Sequence, residues 1–372
     1  MKNQRLSSRH WFFSVFLCFG AVTLFAGCAG PAGVDTSPIF FPPAPNPPRI
    51  QYLTSFDDAT DIEGDKQSFA LFVLGGAGAE KVLTIGKPYG VYTHKGKIYA
   101  CDIGWSDVLI IDPVKKSFTG LKGNFNMGKL KKPVAVTLDN DDNMYVADTA
   151  RREVVVFNAA GDFIGAFGKE LEMKPAALAV DDKHLYVLDL ANGDIKVLDR
   201  KKGKLVRSLG KSTETEKGLW LPTAMAMTPK GIFYVTNIGS AEVIKLDRDG
   251  HIISSFGGLG DIIGKFVRPR GIAVDDEGRI FVVDGGVQNV QVFNAEHRLL
   301  GFFGDSGKAR GTMNLPTGVA VTRDNLDIFQ SYAAPGFKLS HVIIVANQYG
   351  KDKLAIYGLG HMAGAEYEPE RK

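Results

Sequence analysis

The chain has 372 residues, of which 45% are apolar and 23% charged, and its formal net charge is +3. That is ordinary globular composition, long enough for a large core or for several repeated units. Lys2, Arg5 and Arg9 stand in the first ten residues with no acid, so the remainder is formally neutral, which argues against a nucleic-acid partner.

After this basic start, an apolar run of 17 residues extends from Trp11 to Gly27, short for a membrane span. It ends in LFAGC, residues 24–28, with small Ala26 and Gly27 ahead of Cys28. This stretch resembles the lipobox of bacterial lipoproteins, with Phe25 where that family usually has Leu. The resemblance implies a signal peptide over 1–27 and a Cys28 that is lipidated and becomes the new N-terminus. Several acyl chains would make attachment to the membrane durable, where one holds only marginally. Ala29 rather than Asp follows the cysteine, which in a Gram-negative cell implies transfer to the outer membrane.

Of the three cysteines, Cys18 leaves with the signal and Cys28 takes lipid, so Cys101 has no partner for an internal disulfide. There is no CxxCH, so the chain holds no c-type haem of its own, and no cofactor is expected. Residues 29–49 contain seven prolines. The span 28–49 therefore reads as a polyproline-like tether reaching up to about 65 Å at roughly 3.1 Å per residue. The folded part is expected over 50–359, followed by a polar tail, 360–372.

Within that part a unit recurs six times, opened by Pro88, Pro133, Pro175, Pro222, Pro269 and Pro316 at spacings of 45, 42, 47, 47 and 47 residues. Each proline starts a strand a, such as GIAVD at 271–275, and a polar turn leads to strand b, as in IYACD, MYVAD, LYVLD, FYVTN and IFVVD. Strand c follows, as in VVVFN at 154–158, and then strand d, as in FIGAFG at 163–168. Four short strands at this period predict an all-β, six-bladed propeller. The sixth unit has IIVAN as strand b and LAIYG as strand c but no strand d. IQYLTSF, residues 50–56, is an unpaired alternating strand, and it is expected to close the ring with Ile50, Tyr52 and Phe56 toward one face. Residues 323–340 are an insertion placed to plug the lower channel mouth. The link 57–87, with SFALFVLGG at 68–76, is placed to cover the upper one.

These elements, over residues 88–358, resemble the NHL-repeat family of six-bladed propellers. The AAPGFKLSHVIIVANQYG tail and PPRIQYL start look like a subgroup of tethered bacterial propellers. That resemblance implies an envelope location and, for some members, multihaem cytochromes as partners.

No catalytic signature emerges: GxSxG, HExxH and HxxxH are absent, and the seven histidines do not recur at equivalent blade positions. The column Asp102, Asp148, Asp189, Asn237, Asp284, Asn347 reads as turn capping before it reads as a carboxylate ring. The acidic turns at 138–143 and 246–250 lack the length and final Glu of an EF-hand. Departures from the repeat are more informative. After the column prolines stand Tyr89, Val134, Ala176, Thr223, Arg270 and Thr317, and just before two of them stand Trp220 and Arg268. Tyr89, Trp220, Arg268 and Arg270 therefore form the expected recognition rim, since aromatic groups with arginine favour binding hot spots. The expected role is non-enzymatic binding of a protein partner, with an electron-transfer complex as one setting. A metal-assisted hydrolase or lyase in the channel and a carbohydrate-binding protein stand as alternatives.

Overall fold

The b strands are apolar on successive residues rather than on alternate ones, so both of their faces need covering. In the protein, a computed structural model describing residues 36–64, 82–211 and 218–367, neighbouring sheets supply that cover. The strands belong to the unit Pro38–Lys372. Thr36 and Ser37, the described end of the unit Met1–Ser37, have no regular structure.

Two strands, β1 (Ile39–Phe41) and β2 (Ile50–Phe56), precede the first blade. Blade one runs outward as β3 (Pro88–His94), β4 (Lys97–Asp102), β5 (Asp107–Asp112) and β6 (Ser117–Gly120). Blade two is β7 (Pro133–Leu138), β8 (Met144–Asp148), β9 (Glu153–Phe157) and β10 (Phe163–Phe167). Blade three is β11 (Pro175–Val180), β12 (His184–Asp189), β13 (Asp194–Asp199) and β14 (Leu205–Leu209). Blade four is β15 (Pro222–Met227), β16 (Phe233–Asn237), β17 (Glu242–Leu246) and β18 (Ile252–Gly257). Blade five is β19 (Pro269–Val274), β20 (Ile280–Asp284), β21 (Asn289–Phe293) and β22 (Leu299–Phe303). Blade six is β23 (Pro316–Thr322), β24 (Phe337–Asn347) and β25 (Leu354–Met362), and β2 and then β1 complete it as a five-stranded sheet.

The expected closure is present. β2 pairs antiparallel with β25, Tyr52 opposite Tyr357 and Thr54 opposite Ile356. The core consists of six apolar clusters among the described residues, each joining two successive blades, and the one joining blades six and one completes the circle. The P-x-G/A motif follows from this packing. A Cβ on Gly271 would stand 2.5 Å from the Thr317 carbonyl oxygen, and one on Gly318 2.5 Å from that of Tyr89. Inner strands approach so closely there that only the smallest residues fit.

Three expectations about flanking segments change, and a fourth is answered by only part of its segment. First, Ile50 and Tyr52 pack toward blade five, whereas Leu53 and Phe56 pack toward blade one. An irregularity in register between Tyr52 and Thr54 leaves Leu53 as an extra residue and turns the rest of the strand over. Second, residues 39–41 lie in the span read as tether, yet they form edge strand β1, Ile39 opposite Tyr52. The Phe41 ring lies 6.3 Å from those of both Phe303 and Tyr357, so β1 covers apolar surface at the rim of the sheet. At the other boundary, β25 runs to Met362 and the Tyr367 hydroxyl donates to the Pro48 carbonyl at 2.8 Å, so part of the tail is folded back.

Third, the insertion does not plug the channel. It contains α2 (Leu326–Gln330), whose Phe329 is buried in the cluster joining blades six and one. Phe329 and Leu326 gain more burial there than a solvated channel mouth offers. Fourth, the described part of the link 57–87 lies away from the channel. Its short helix α1 (Thr60–Glu63) sits beside β6, and Glu63 accepts a hydrogen bond from the Phe118 amide at 2.9 Å. The stretch 68–76 lies outside the described residues, as do Cys28 and the apolar run before it. Among the described residues no helix is long and apolar enough to cross a membrane.

Candidate functional site

The Asp/Asn column is structural cement on the upper face. Asp148, fully buried, accepts from the amides of Lys131 (2.6 Å), Lys132 (3.0 Å), Ala150 (3.1 Å) and Arg151 (2.9 Å). One carboxylate thus ties the connection entering the blade to the turn between its second and third strands. Asp102 and Asp284 do the same in their blades. In Asn237 and Asn347 the amide oxygen takes the entering connection alone, from Trp220 at 2.7 Å and Asn314 at 3.2 Å. None of the six lines the channel.

The channel is a cavity of about 320 Å³ lined by β3, β7, β11, β15, β19 and β23, at the lower end of the roughly 300–1,000 Å³ of small-molecule sites. Among the described residues its lining contains no Asp, Glu, His or Cys. These residues supply no donor set for a metal and no carboxylate or imidazole for acid–base chemistry. Cys101 packs between blades one and two, fully buried, and burial pushes its thiol well above the usual range, so it is no nucleophile in the folded protein.

Of the four rim residues, the structure brings Tyr89 and Arg270 into the channel mouth and leaves Trp220 and Arg268 outside it. The division follows from position: residues after the column proline belong to the inner strand, and those before it belong to the surface connection. Arg270 is held from two sides. Its carbonyl accepts from the Thr236 hydroxyl at 2.6 Å, and its stem runs along Gly285, where an added Cβ would meet Cδ at 2.9 Å. Its Nε is buried with no hydrogen-bond partner. Burial lowers the pKa of this guanidinium; Tyr89 opposes that shift and Arg268 adds a smaller push in the same direction. Around the mouth, blades five, six and one contribute Arg270, Thr317 and Tyr89, whereas blades two and three contribute Val134 and Ala176.

Trp220 is 62% exposed, with its indole against Gly239. It is one of several exposed apolar groups on the upper face that spacing alone did not single out. Trp105, Leu221, Leu259, Ile262 and Tyr349, all on upper connections, range from 47% exposed at Leu221 to 78% at Leu259. On the lower turns the exposed large apolar groups are Val114 and Tyr332.

The lower face is instead ion-paired. Asp276, Glu277 and His341 offer ligand atoms within 4.8 Å of one another. Arg323 pairs with Asp276 at 2.9 Å and also with Glu277, while Arg279 pairs with Glu277 at 2.6 Å. The His341 hydrogen bond and the Arg323 charge hold the Asp276 carboxyl below its usual range. With two guanidiniums already on these carboxylates, the group is a charge-balanced clamp between blades five and six.

Residues 266–293, most of blade five, match the NHL repeat family. Curated protein sequences give no significant match. Among solved structures, a protein of unknown function from Bacteroides thetaiotaomicron is similar, at 17% identity over 83% of this chain and 75% of that one, with a TM-score of 0.56. Virginiamycin B lyase from Staphylococcus aureus is similar at 14% identity over 73% of this chain and 81% of that one, with a TM-score of 0.51. A gluconolactonase from Xanthomonas campestris is similar at 16% identity over 89% and 99%, with a TM-score of 0.53. At these identities the likeness is one of fold.

Proposed function

We propose that the chain is a lipid-anchored, extracytoplasmic propeller that binds a protein partner on its upper face without catalysing a reaction. The observation that carries this reading is the concentration of exposed apolar groups around Trp220, Leu259 and Ile262 on one face, against an ion-paired opposite face. Exposed apolar groups collected on one face favour an interaction there, and aromatic groups are the usual anchors. Among the described residues the channel lining has no carboxylate, imidazole or thiol, which favours binding over the hydrolase and lyase alternatives.

A photo-crosslinking residue at position 220, in intact cells, should give an adduct of defined mass, and the same residue at position 114 should give none. Equal adducts at both positions, or none on the upper face, would remove the reading. A multihaem cytochrome is the partner class that the family resemblance suggests, and covalent haem in the adduct supports that version. The anchor has its own test. Cys28→Ala should shift the protein from the membrane fraction to the soluble fraction, and an unchanged distribution would reject lipidation at that residue.

A further inference from the structure

Among the described residues, the channel mouth holds one charge and nothing to balance it. Arg270 is the single charged side chain among the lining residues, which are otherwise small, aliphatic, threonine or tyrosine, with two methionines. The groups that act on it electrostatically are Tyr89 and Arg268, neither of them a carboxylate at neutral pH. A partly desolvated cation without a counter-charge is unfavourable, and the buried Nε adds an unsatisfied donor. Thr236 and Gly285 nonetheless hold the residue in place.

The chemistry of a complement can be read from this arrangement. One cation with no second one in the lining fits a monoanion, and the planar guanidinium fork matches a carboxylate. Below the mouth the inner strands run on from Tyr89 to Thr93, about 13 Å at roughly 3.3 Å per residue. Leu178, Met225, Ile272 and Val319 give that stretch an apolar wall. We propose that the channel mouth binds a small carboxylate bearing an apolar tail, with the carboxylate on Arg270 beside Tyr89 and the tail in the channel. This site lies on the same face as the partner surface but uses other residues, so its test is run on the isolated protein and does not depend on that reading.

Decanoate, kept below its micelle concentration, is the probe. Titrated into the folded protein, it should bind with a stoichiometry of one and raise the melting temperature. Acetate, which lacks the tail, and decyltrimethylammonium, which reverses the charge, should do neither at the same concentration. Arg270→Gln should weaken decanoate binding about tenfold or more. Arg268→Gln, which removes an equal charge from the exposed rim, should weaken it less than about threefold. Arg270→Lys keeps the charge without the fork and should fall between wild type and Arg270→Gln, so the site stays testable if Arg270→Gln does not fold. Absence of decanoate binding, equal effects of acetate, equal losses in the Arg268 and Arg270 variants, or wild-type affinity in Arg270→Lys would overturn the proposal.

Discussion

A chain that starts at Asp57, without β1 and β2, should lose its cooperative thermal transition, while one that starts at Pro38 should melt with the full-length protein. In β2, Ile50, Tyr52, Leu53 and Phe56 are all buried, between 2% and 7% exposed. At about 1.5–3 kcal/mol per side chain, the upper bound from burial is about 6–12 kcal/mol. That is comparable to the whole stability of a typical domain, about 5–15 kcal/mol. Removing β2 also strips the edge of β25 and opens two interblade clusters at once. A third variant starting at Ile50 loses β1, with its half-buried Ile39 and Phe41, and the Pro48 carbonyl that accepts from Tyr367, and should cost about 1–3 kcal/mol. Differential scanning calorimetry on the three chains decides the matter. Indistinguishable transitions for the Pro38 and Asp57 chains would show that the ring holds without its N-terminal strand.

The second large effect is expected at the buried carboxylates. Asp284→Ala leaves the amides of Val267, Arg268 and Gly286, at 2.8, 2.9 and 2.8 Å, without their acceptor. Unsatisfied buried donors cost about 1–3 kcal/mol each, and with partial rescue by water the total should be about 3–5 kcal/mol. For a domain of this size that lowers the melting temperature by roughly 4–7 °C. Asp284→Asn should cost less, because blades four and six already use Asn237 and Asn347 at the same place. Thermal melts of the two variants, with amide exchange across residues 285–288, provide the check. A melting temperature for Asp284→Ala within about 1 °C of wild type would exclude the carboxylate as the tie.

Much of the architecture was readable because all six units meet the same requirement. Each needs an inner strand thin enough for its neighbours, hence Pro-x-Gly/Ala, and a second strand covered on both faces, hence runs such as MYVAD. Each also needs an acceptor for two loops, hence the Asp/Asn column. What escaped the reading lacked repetition. The three residues of β1 stand between prolines and gain their strand partner only from β2. The extra residue at Leu53 breaks an alternation that would otherwise place Phe56 beside Tyr52. The insertion's Phe329 finds a seam assembled from both ends of the chain, which no local pattern specifies. At the site, Tyr89 and Arg270 were legible as departures from a column that faces the channel. The exposure of Leu259, Ile262 and Tyr349 was not, because surface connections vary from blade to blade and carry no period.

The closure of blade six has a consequence for biosynthesis. β2 leaves the ribosome early, and its partner β25 follows about 300 residues later, a delay on the order of 15–60 s at about 5–20 residues per second. Throughout that interval IQYLTSF, apolar on both faces, has no native neighbour, while the intermediate blades have theirs as they emerge. The polypeptide therefore leaves this heptapeptide uncovered until β25 emerges unless a holding factor occupies it, and a stalled nascent chain ending before Leu354 should bind such a factor there.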